Sequence, residues 1–403
     1  MARIKTRILI LSDTHGHLPS RASAADELTA ASDFSVAVTG YRLPLPAADV
    51  ALHCGDLTTR STPDELRRTL SVLRGLRAPL KVVIPGNHDR LLDAAHWSRD
   101  DGYGYGYRDP EYRTEALELL EDAKADGVVY LGGDGGGGAH EFRLANGALL
   151  RLYASPWTPE YGVWGFQYPP EDGHDFRIPA GVDVAMTHGP PRGVLDLAGF
   201  ALPAYGLEPS RAGCGHLLAA VARARPRLHC FGHIHEAWGA YLARWKPATT
   251  TTTAAAEDDE HDDAETAARH NTTTTTNNNT TTTSTTMSTV TAENAIDAAA
   301  SRSIVALQEI KPMTFLDPPA TPAQAARLMD WSAQMGVHID WEAEESKARE
   351  GQQAGQEEKE EEEEGKRQYT LFVNAAIQGF REKPSQLPYI VDMLLDEAPP
   401  SET

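Results

Sequence analysis

The chain predicts an α/β fold. Three observations carry this: short Val-, Ile- and Leu-rich runs of strand length, helical patterns between some of them, and small, polar or ionisable residues closing the runs. Short runs that are apolar at successive positions suit strands buried on both faces of a sheet. Their alternation with helices argues for helices packed on that sheet. In this class, ligands bind beyond the carboxyl ends of the strands.

In chain order, Ile8–Leu11 leads into Ser12-Asp13 and Val50–Leu52 into Gly55-Asp56. A helix is predicted over Pro63–Leu76, and Val82–Ile84 then runs into Gly86-Asn87-His88. A second helix over Thr114–Asp126 precedes Leu150–Tyr153, which ends at Ser155-Pro156. Val182–Met186 ends at Thr187-His188, a third helix covers Gly215–Ala224, and Leu228–Phe231 ends at Gly232-His233. Asp26–Pro46 reads as a loop with a weak helix and Gly102–Tyr107 as a surface loop. Gly132–Gly138 reads as a flexible connection, since no Lys-Ser/Thr follows to make it a phosphate loop.

The strand pattern lapses after residue 246 and resumes at Tyr369–Ala375, the expected closing strand of the same sheet. This gives a catalytic domain of residues 1–246 with 366–397, interrupted by three segments. Residues 247–303 are rich in Thr and Asn, 304–341 are apolar enough for helix, and 342–365 are an acidic low-complexity run. The chain has 403 residues and a formal charge of −21, of which −17 falls in residues 247–365. The acidity therefore describes the insertion and not the substrate. No nucleic-acid-binding surface is evident, and the insertion is a candidate site for protein partners. No apolar stretch is long enough to span a bilayer, and the first residues are too short for a signal core. Three cysteines make no disulfide framework, so a cytoplasmic location is expected.

The chemistry lies at the strand ends: Asp13-Thr14-His15, Gly55-Asp56, Gly86-Asn87-His88-Asp89, Thr187-His188-Gly189 and Gly232-His233-Ile234-His235. Carboxylates, imidazoles and an amide oxygen together suit divalent Mn, Fe, Zn or Ni. In Asp-x-His and His-x-His the two side chains project the same way from an extended backbone, so each pair can reach one ion. Taken singly, each motif has an ordinary explanation as a capped turn or core histidine; their order along the chain is what carries weight. His17, His53, His140, His174, His216 and His229 are expected to be structural.

This order resembles the calcineurin-like metallophosphoesterase superfamily. Ser155–Glu160, Thr187–Pro191, Gly215–Leu218, Arg225–His229 and Phe372–Ala375 narrow the resemblance to its metallophosphoesterase-domain-containing branch. The resemblance implies a four-layer αββα sandwich and two divalent metal ions. It implies one ion on Asp13, His15 and His235, the other on Asn87, His188 and His233, and Asp56 bridging both. Such a pair clamps the attacking and leaving oxygens of an in-line displacement. His88 would face the phosphate as a catalytic residue, either stabilising developing charge or protonating the leaving alkoxide, with Asp89 orienting its ring. The expected activity is hydrolysis of a small nucleotide-like phosphodiester. The alternatives are a phosphoprotein or small-molecule phosphomonoesterase, and a nucleotide-binding or scaffold protein with weak activity.

Overall fold

The computed structural model describes residues 2–21, 41–97, 110–132, 137–199, 208–247, 295–307, 321–353, 367–379 and 382–400. Its strands up to the fourth strand-end motif are β1 (Arg3–Leu11), β2 (Val50–His53), β3 (Leu80–Val83), β4 (Val128–Tyr130), β5 (Gly138–Arg143), β6 (Leu149–Ser155), β7 (Thr158–Pro159), β8 (Gln167–Tyr168) and β9 (Val184–Thr187). After it come β10 (Leu197–Ala198), β11 (Ser210–Arg211), β12 (Leu228–Phe231), β13 (Gly239–Trp245), β14 (Ile296–Ala306), β15 (Val337–Asp340), β16 (Tyr369–Asn374) and β17 (Tyr389–Asp396). The helices are α1 (Pro63–Gly75), α2 (Ala94–Trp97), α3 (Pro110–Ala123), α4 (Gly215–Ala224), α5 (Pro322–Ala333) and α6 (Trp341–Gln353).

Two large sheets form, one ordered β15-β17-β1-β2-β3-β4 and the other β14-β13-β16-β12-β9-β6-β5. Strands β1 to β4 are mutually parallel, as are β6, β9, β12 and β16. Side-chain alternation along each strand builds three apolar layers. Ile8, Ile10, Val50, Leu52 and Val82 point to the space between the sheets, where they meet Val184, Met186, Leu228, Cys230, Leu371 and Val373. The alternate residues Leu9, Leu11, Ala51 and Val83 face outward onto Leu66, Leu70 and Leu73 of α1 and Leu120 of α3. On the far side, Phe231 and Phe372 pack on Leu217, Leu218 and Val221 of α4. The molecule is thus a four-layer αββα sandwich.

The helices start where local chemistry allows. Thr62 and Glu65 form a capping box ahead of Pro63, and Leu66, Leu70 and Leu73 recur at helical spacing along the buried face of α1. At α4 the Sγ of Cys214 accepts the Leu217 amide, and Arg225 in a left-handed conformation closes the helix.

The structure differs from the sequence reading between residues 295 and 353. Strand β14 pairs antiparallel with β13, and β15 pairs parallel with β17, so this stretch supplies an edge strand to each sheet. Residues 304–341 are therefore not simply helical. Trp331, Val337, Ile339 and Trp341 join the core between the sheets. The start of the acidic segment is likewise docked: Glu342 pairs with Arg227 and accepts the Leu394 amide at 2.8 Å, while Trp341 donates to the Arg227 carbonyl at 2.8 Å. The boundary drawn at residues 246 and 366 is corrected accordingly, because buried tryptophans and strand pairing outweigh the polar composition around them. The sequence reading also passed over β5, β13 and β17. Residues 102–107, and most of the loop expected over Asp26–Pro46, lie outside the described residues.

Candidate metal centre

The five motifs follow β1, β2, β3, β9 and β12 and converge at one edge of the sandwich. Asp13, His15, Asp56 and His235 each offer a ligand atom, all within 4.8 Å of one another. His235 Nε2 lies 3.2 Å from Asp13 Oδ1 and 3.4 Å from His15 Nε2. The other half of the site adjoins through Asp56: His15 Nε2 is 3.6 Å from Oδ2, and His188 Nε2 is 3.5 Å from Oδ1. His188 Nε2 is 2.8 Å from Asn87 Oδ1, and the His188 and His233 rings lie 4.9 Å apart. All seven expected ligands are thus brought together, with Asp56 in the middle.

The backbone is strained where these side chains turn inward. Asp13, His15, Asp56 and His233 all have left-handed φ, from 48° to 69°, which L-residues avoid. Conformations of this kind cost about 1–3 kcal/mol each and persist where surrounding contacts impose them. Those contacts run from motif to motif. Asp13 N donates to Gly55 O and His15 N to Asp56 O, both at 2.9 Å, while His88 N donates to Asp56 Oδ1 and His233 N to the Asp13 carboxylate. Gly86 and Gly232 permit the close approach, since a side chain there would collide with the Asp56 and Asp13 carboxylates respectively.

Protonation suits cation binding. His15 Nδ1 sits 3.1 Å from Thr58 O and His188 Nδ1 2.9 Å from Cys54 O. Each contact makes Nδ1 the donor and turns an Nε2 lone pair into the site, the second interaction that characteristically orients a metal-bound histidine. Burial pushes His15 down to about 3, against the pull of Asp56. Burial, then His188, pushes His233 down to about 3. For Asp13, burial favours the neutral acid, but the hydrogen bond from His235 and the surrounding imidazoles hold its pKa below the usual range. At Asp56 the His188, His88 and His15 rings likewise outweigh burial. Burial opposes the charge on His235, yet the hydrogen bond to Asp13 raises its pKa. Two ionised, buried carboxylates beside imidazoles of which burial holds His15 and His233 neutral form a donor set that fits divalent metal.

The role expected for Asp89 is corrected. Its carboxylate accepts the Leu57, Thr58 and Gly86 amides and the Thr58 hydroxyl, at 2.7–3.0 Å. It ties the β2 and β3 loops together instead of orienting His88. Burial and the neighbouring Asp56 charge push it up to about 6. His88 is held by other groups: its Nδ1 lies 2.9 Å from Thr59 O, and its ring packs 4.2 Å from that of Trp164, over which Arg90 sits. Tyr161 also went unnoticed in the sequence. Its hydroxyl accepts from Asn87 Nδ2 at 2.9 Å, and its ring lies 5.4 Å from that of His233.

Beneath the ligands, His53 Nε2 meets the Thr14 hydroxyl and His229 Nε2 the Thr187 hydroxyl, each at 2.9 Å. From β16 and the segment after it, Asn374 holds the Ile234 carbonyl and Gln386 the His235 carbonyl, fixing the His-x-His turn. A cavity of about 760 Å³ opens on the centre. Its lining includes Asp56, Asn87, His233, Tyr161, Tyr168 and Arg211. That size lies within the range of small-molecule sites.

A family model described as calcineurin-like phosphoesterase matches residues 6–237. Metallophosphoesterase domain-containing protein 1 of Homo sapiens is 34% identical over 207 residues, which are 49% of this chain and 57% of that protein. A UPF0046 protein of Caenorhabditis elegans is 31% identical over 211 residues, 48% of each chain. A probable rhamnogalacturonate lyase C of Emericella nidulans is 30% identical over 242 residues, 59% of this chain but 18% of that protein. The chain thus spans about half the length of the human and worm proteins and a small part of the fungal one.

Proposed function

Because the chain belongs to the calcineurin-like phosphoesterase family, we propose that it is a dinuclear-metal hydrolase of phosphate esters that acts on small nucleotide-like diesters. The observation that carries this reading is the buried ligand cluster with its Nε2 atoms turned inward by the Thr58 and Cys54 carbonyls. Asp13, His15 and His235 would hold one ion, Asn87, His188 and His233 the other, and Asp56 would lie between them. Ions bound there supply positive charge that activates water and polarises the phosphoryl oxygens.

The protein groups do the rest. With His88 Nδ1 donating to the Thr59 carbonyl, Nε2 is the atom left to face the phosphate, and the doubly protonated ring would hand its Nε2 proton to the departing alkoxide and keep the one on Nδ1. Trp164 limits rotation of that ring. The Tyr161 oxygen accepts from Asn87, so its own O–H remains to donate to a phosphoryl oxygen. The diester reading draws support from the cavity: Tyr161, Tyr168, Pro159 and Pro170 give an apolar wall that suits an organic group on either side of the phosphate. The 155–168 segment stands over the centre, which argues against the shallow open groove a phosphoprotein phosphatase needs.

Metal analysis of reconstituted protein, with a matched panel of diesters and monoesters, tests this. The expected result is close to two ions per chain and faster turnover of diesters. A clean value of one ion, unchanged by His188→Ala, contradicts the dinuclear reading; faster turnover of monoesters overturns the diester preference.

A further inference from the structure

The cavity that opens on the metal ligands also carries arginine in its lining. Arg192 and Arg211 both line it, on the stretch between β9 and α4. That stretch is a built wall. Strands β10 and β11 pair through Leu197↔Arg211 and Ala198↔Ser210. Arg192 N donates to Cys214 O at 2.9 Å, beside the bridge of Pro191 to Cys214. Asp196, fully buried, accepts the Gly193 and Gly213 amides and Nη1 of Arg211.

This anchoring fixes the Arg211 stem and occupies one nitrogen of a five-donor fork. The side chain is still 48% exposed and faces the cavity. A fork held by a buried carboxylate is preorganised for a planar anion, and loses little freedom in binding one. Two carboxylates, Glu160 and Glu236, also reach the cavity. Glu160 neighbours Tyr161 and Glu236 neighbours His235, so both stand close in sequence to residues of the metal end. Arg192 and Arg211 set two guanidinium groups against them in the same cavity.

We propose that Arg192 and Arg211 form a second anion subsite, and that the substrate is a phosphate ester carrying a further anionic group, a phosphate or a carboxylate, beyond the scissile one. The substrate's organic body lies along Tyr161 and Tyr168, which line the same cavity. This rests on the phosphoesterase reading for the scissile end only, so its test does not depend on turnover.

Calorimetric titration of the purified full chain compares thymidine 3′,5′-bisphosphate, thymidine 5′-monophosphate and the 5′-monophosphate carrying a 3′-carboxymethyl group. The doubly anionic ligands are expected to bind at least about tenfold more tightly, the usual scale of a charge-assisted contact. The margin between the phosphate and carboxylate ligands tells the two anions apart. Arg192→Gln and Arg211→Gln should each remove most of the advantage, and Arg211→Lys should keep part of it. Circular dichroism of the variants separates loss of the subsite from loss of the wall, and Arg192→Gln leaves the Asp196 anchor intact. Equal affinities for the ligands with one and with two anionic groups, or an advantage that survives Arg192→Gln in folded protein, overturns the proposal. If the advantage is present and no ester is hydrolysed, the subsite stands and the catalytic reading falls.

Discussion

Asp56 and His88 sit about as close as two residues of one site can, yet they should fail differently. Asp56 lies between the two halves of the ligand set, so Asp56→Asn should lose metal and activity together, as metal analysis and turnover would show. His88 offers no atom to the four-residue cluster, so His88→Ala should keep its metal while losing about 10²–10⁴ in rate. If His88→Ala strips the metal, that role is wrong. Trp164→Ala should lower kcat more than it raises KM, with partial rescue by Trp164→Phe; an unchanged kcat would leave the ring contact without a function. All seven side chains that meet at the candidate centre were legible in the sequence, because carboxylate, amide and imidazole recur at strand ends in a fixed order. The groups that orient His88 were not. Thr59 acts through its carbonyl, which any residue carries, and Trp164 reaches His88 from a loop distant in sequence. Asp89 misled for a related reason: adjacency to His88 suggested a partner, whereas four nearby donors claim its carboxylate.

The strands that lead into the five motifs were legible because each is buried on both faces, and β14 and β15 were not because each buries little or only one face. In β14 Val305 is buried among small and polar neighbours, and β15 alternates buried Val337 and Ile339 with exposed His338 and Asp340. Its four residues are too few to register as a pattern within a polar stretch. What fastens α6 is electrostatic as well as apolar. Arg227 is 7% exposed, stacks 4.0 Å over Trp341 and pairs with Glu342, which is 32% exposed and also holds the β17 backbone. Glu342→Ala leaves that guanidinium buried without its counter-charge. The half-wet carboxylate tempers the cost, so a loss of about 1–3 kcal/mol is expected in urea denaturation. A loss below about 0.5 kcal/mol would show that the apolar contacts alone hold the helix. Between β1 and β17, the hydrogen bonds from Arg7 hold Asp392 below its ordinary pKa, against burial. A carboxylate depressed in the folded state stabilises above its unfolded pKa of about 3.9 and loses that contribution as pH falls further. Asp392→Asn should therefore flatten the acid limb of the stability curve, and an identical limb in both proteins would rule the pair out as its source.

For the molecule as a whole, the question is how much of the insertion belongs to the sandwich. The sequence set residues 247–365 apart from the catalytic domain as two low-complexity segments around a possible helical one, yet the two sheets take strands from this stretch. Trp245 and Ile296 are partners in the β13–β14 ladder, so the chain leaves the sheet and returns to it at neighbouring positions. A short turn can therefore replace residues 248–294 without moving either strand. Loop-closure entropy grows with the logarithm of length, at about 0.6 kcal/mol per doubling, so shortening this connection should leave stability equal or slightly higher. Replacing residues 249–365 is a different operation. It removes β14, β15 and α6, takes Trp331 and Trp341 out of the core, and bares the edges of β13 and β17. Exposed edges invite pairing between chains. The short replacement, made with a Gly/Ser turn, should give folded, metal-binding protein with a melting temperature within a few degrees of the full chain. The long replacement should aggregate or melt far lower, read by light scattering and calorimetry. A well-folded, metal-binding product of the long replacement would show that β14, β15 and α6 decorate the sandwich without supporting it. Loss of metal binding from the short one would assign residues 248–294 a part in the site.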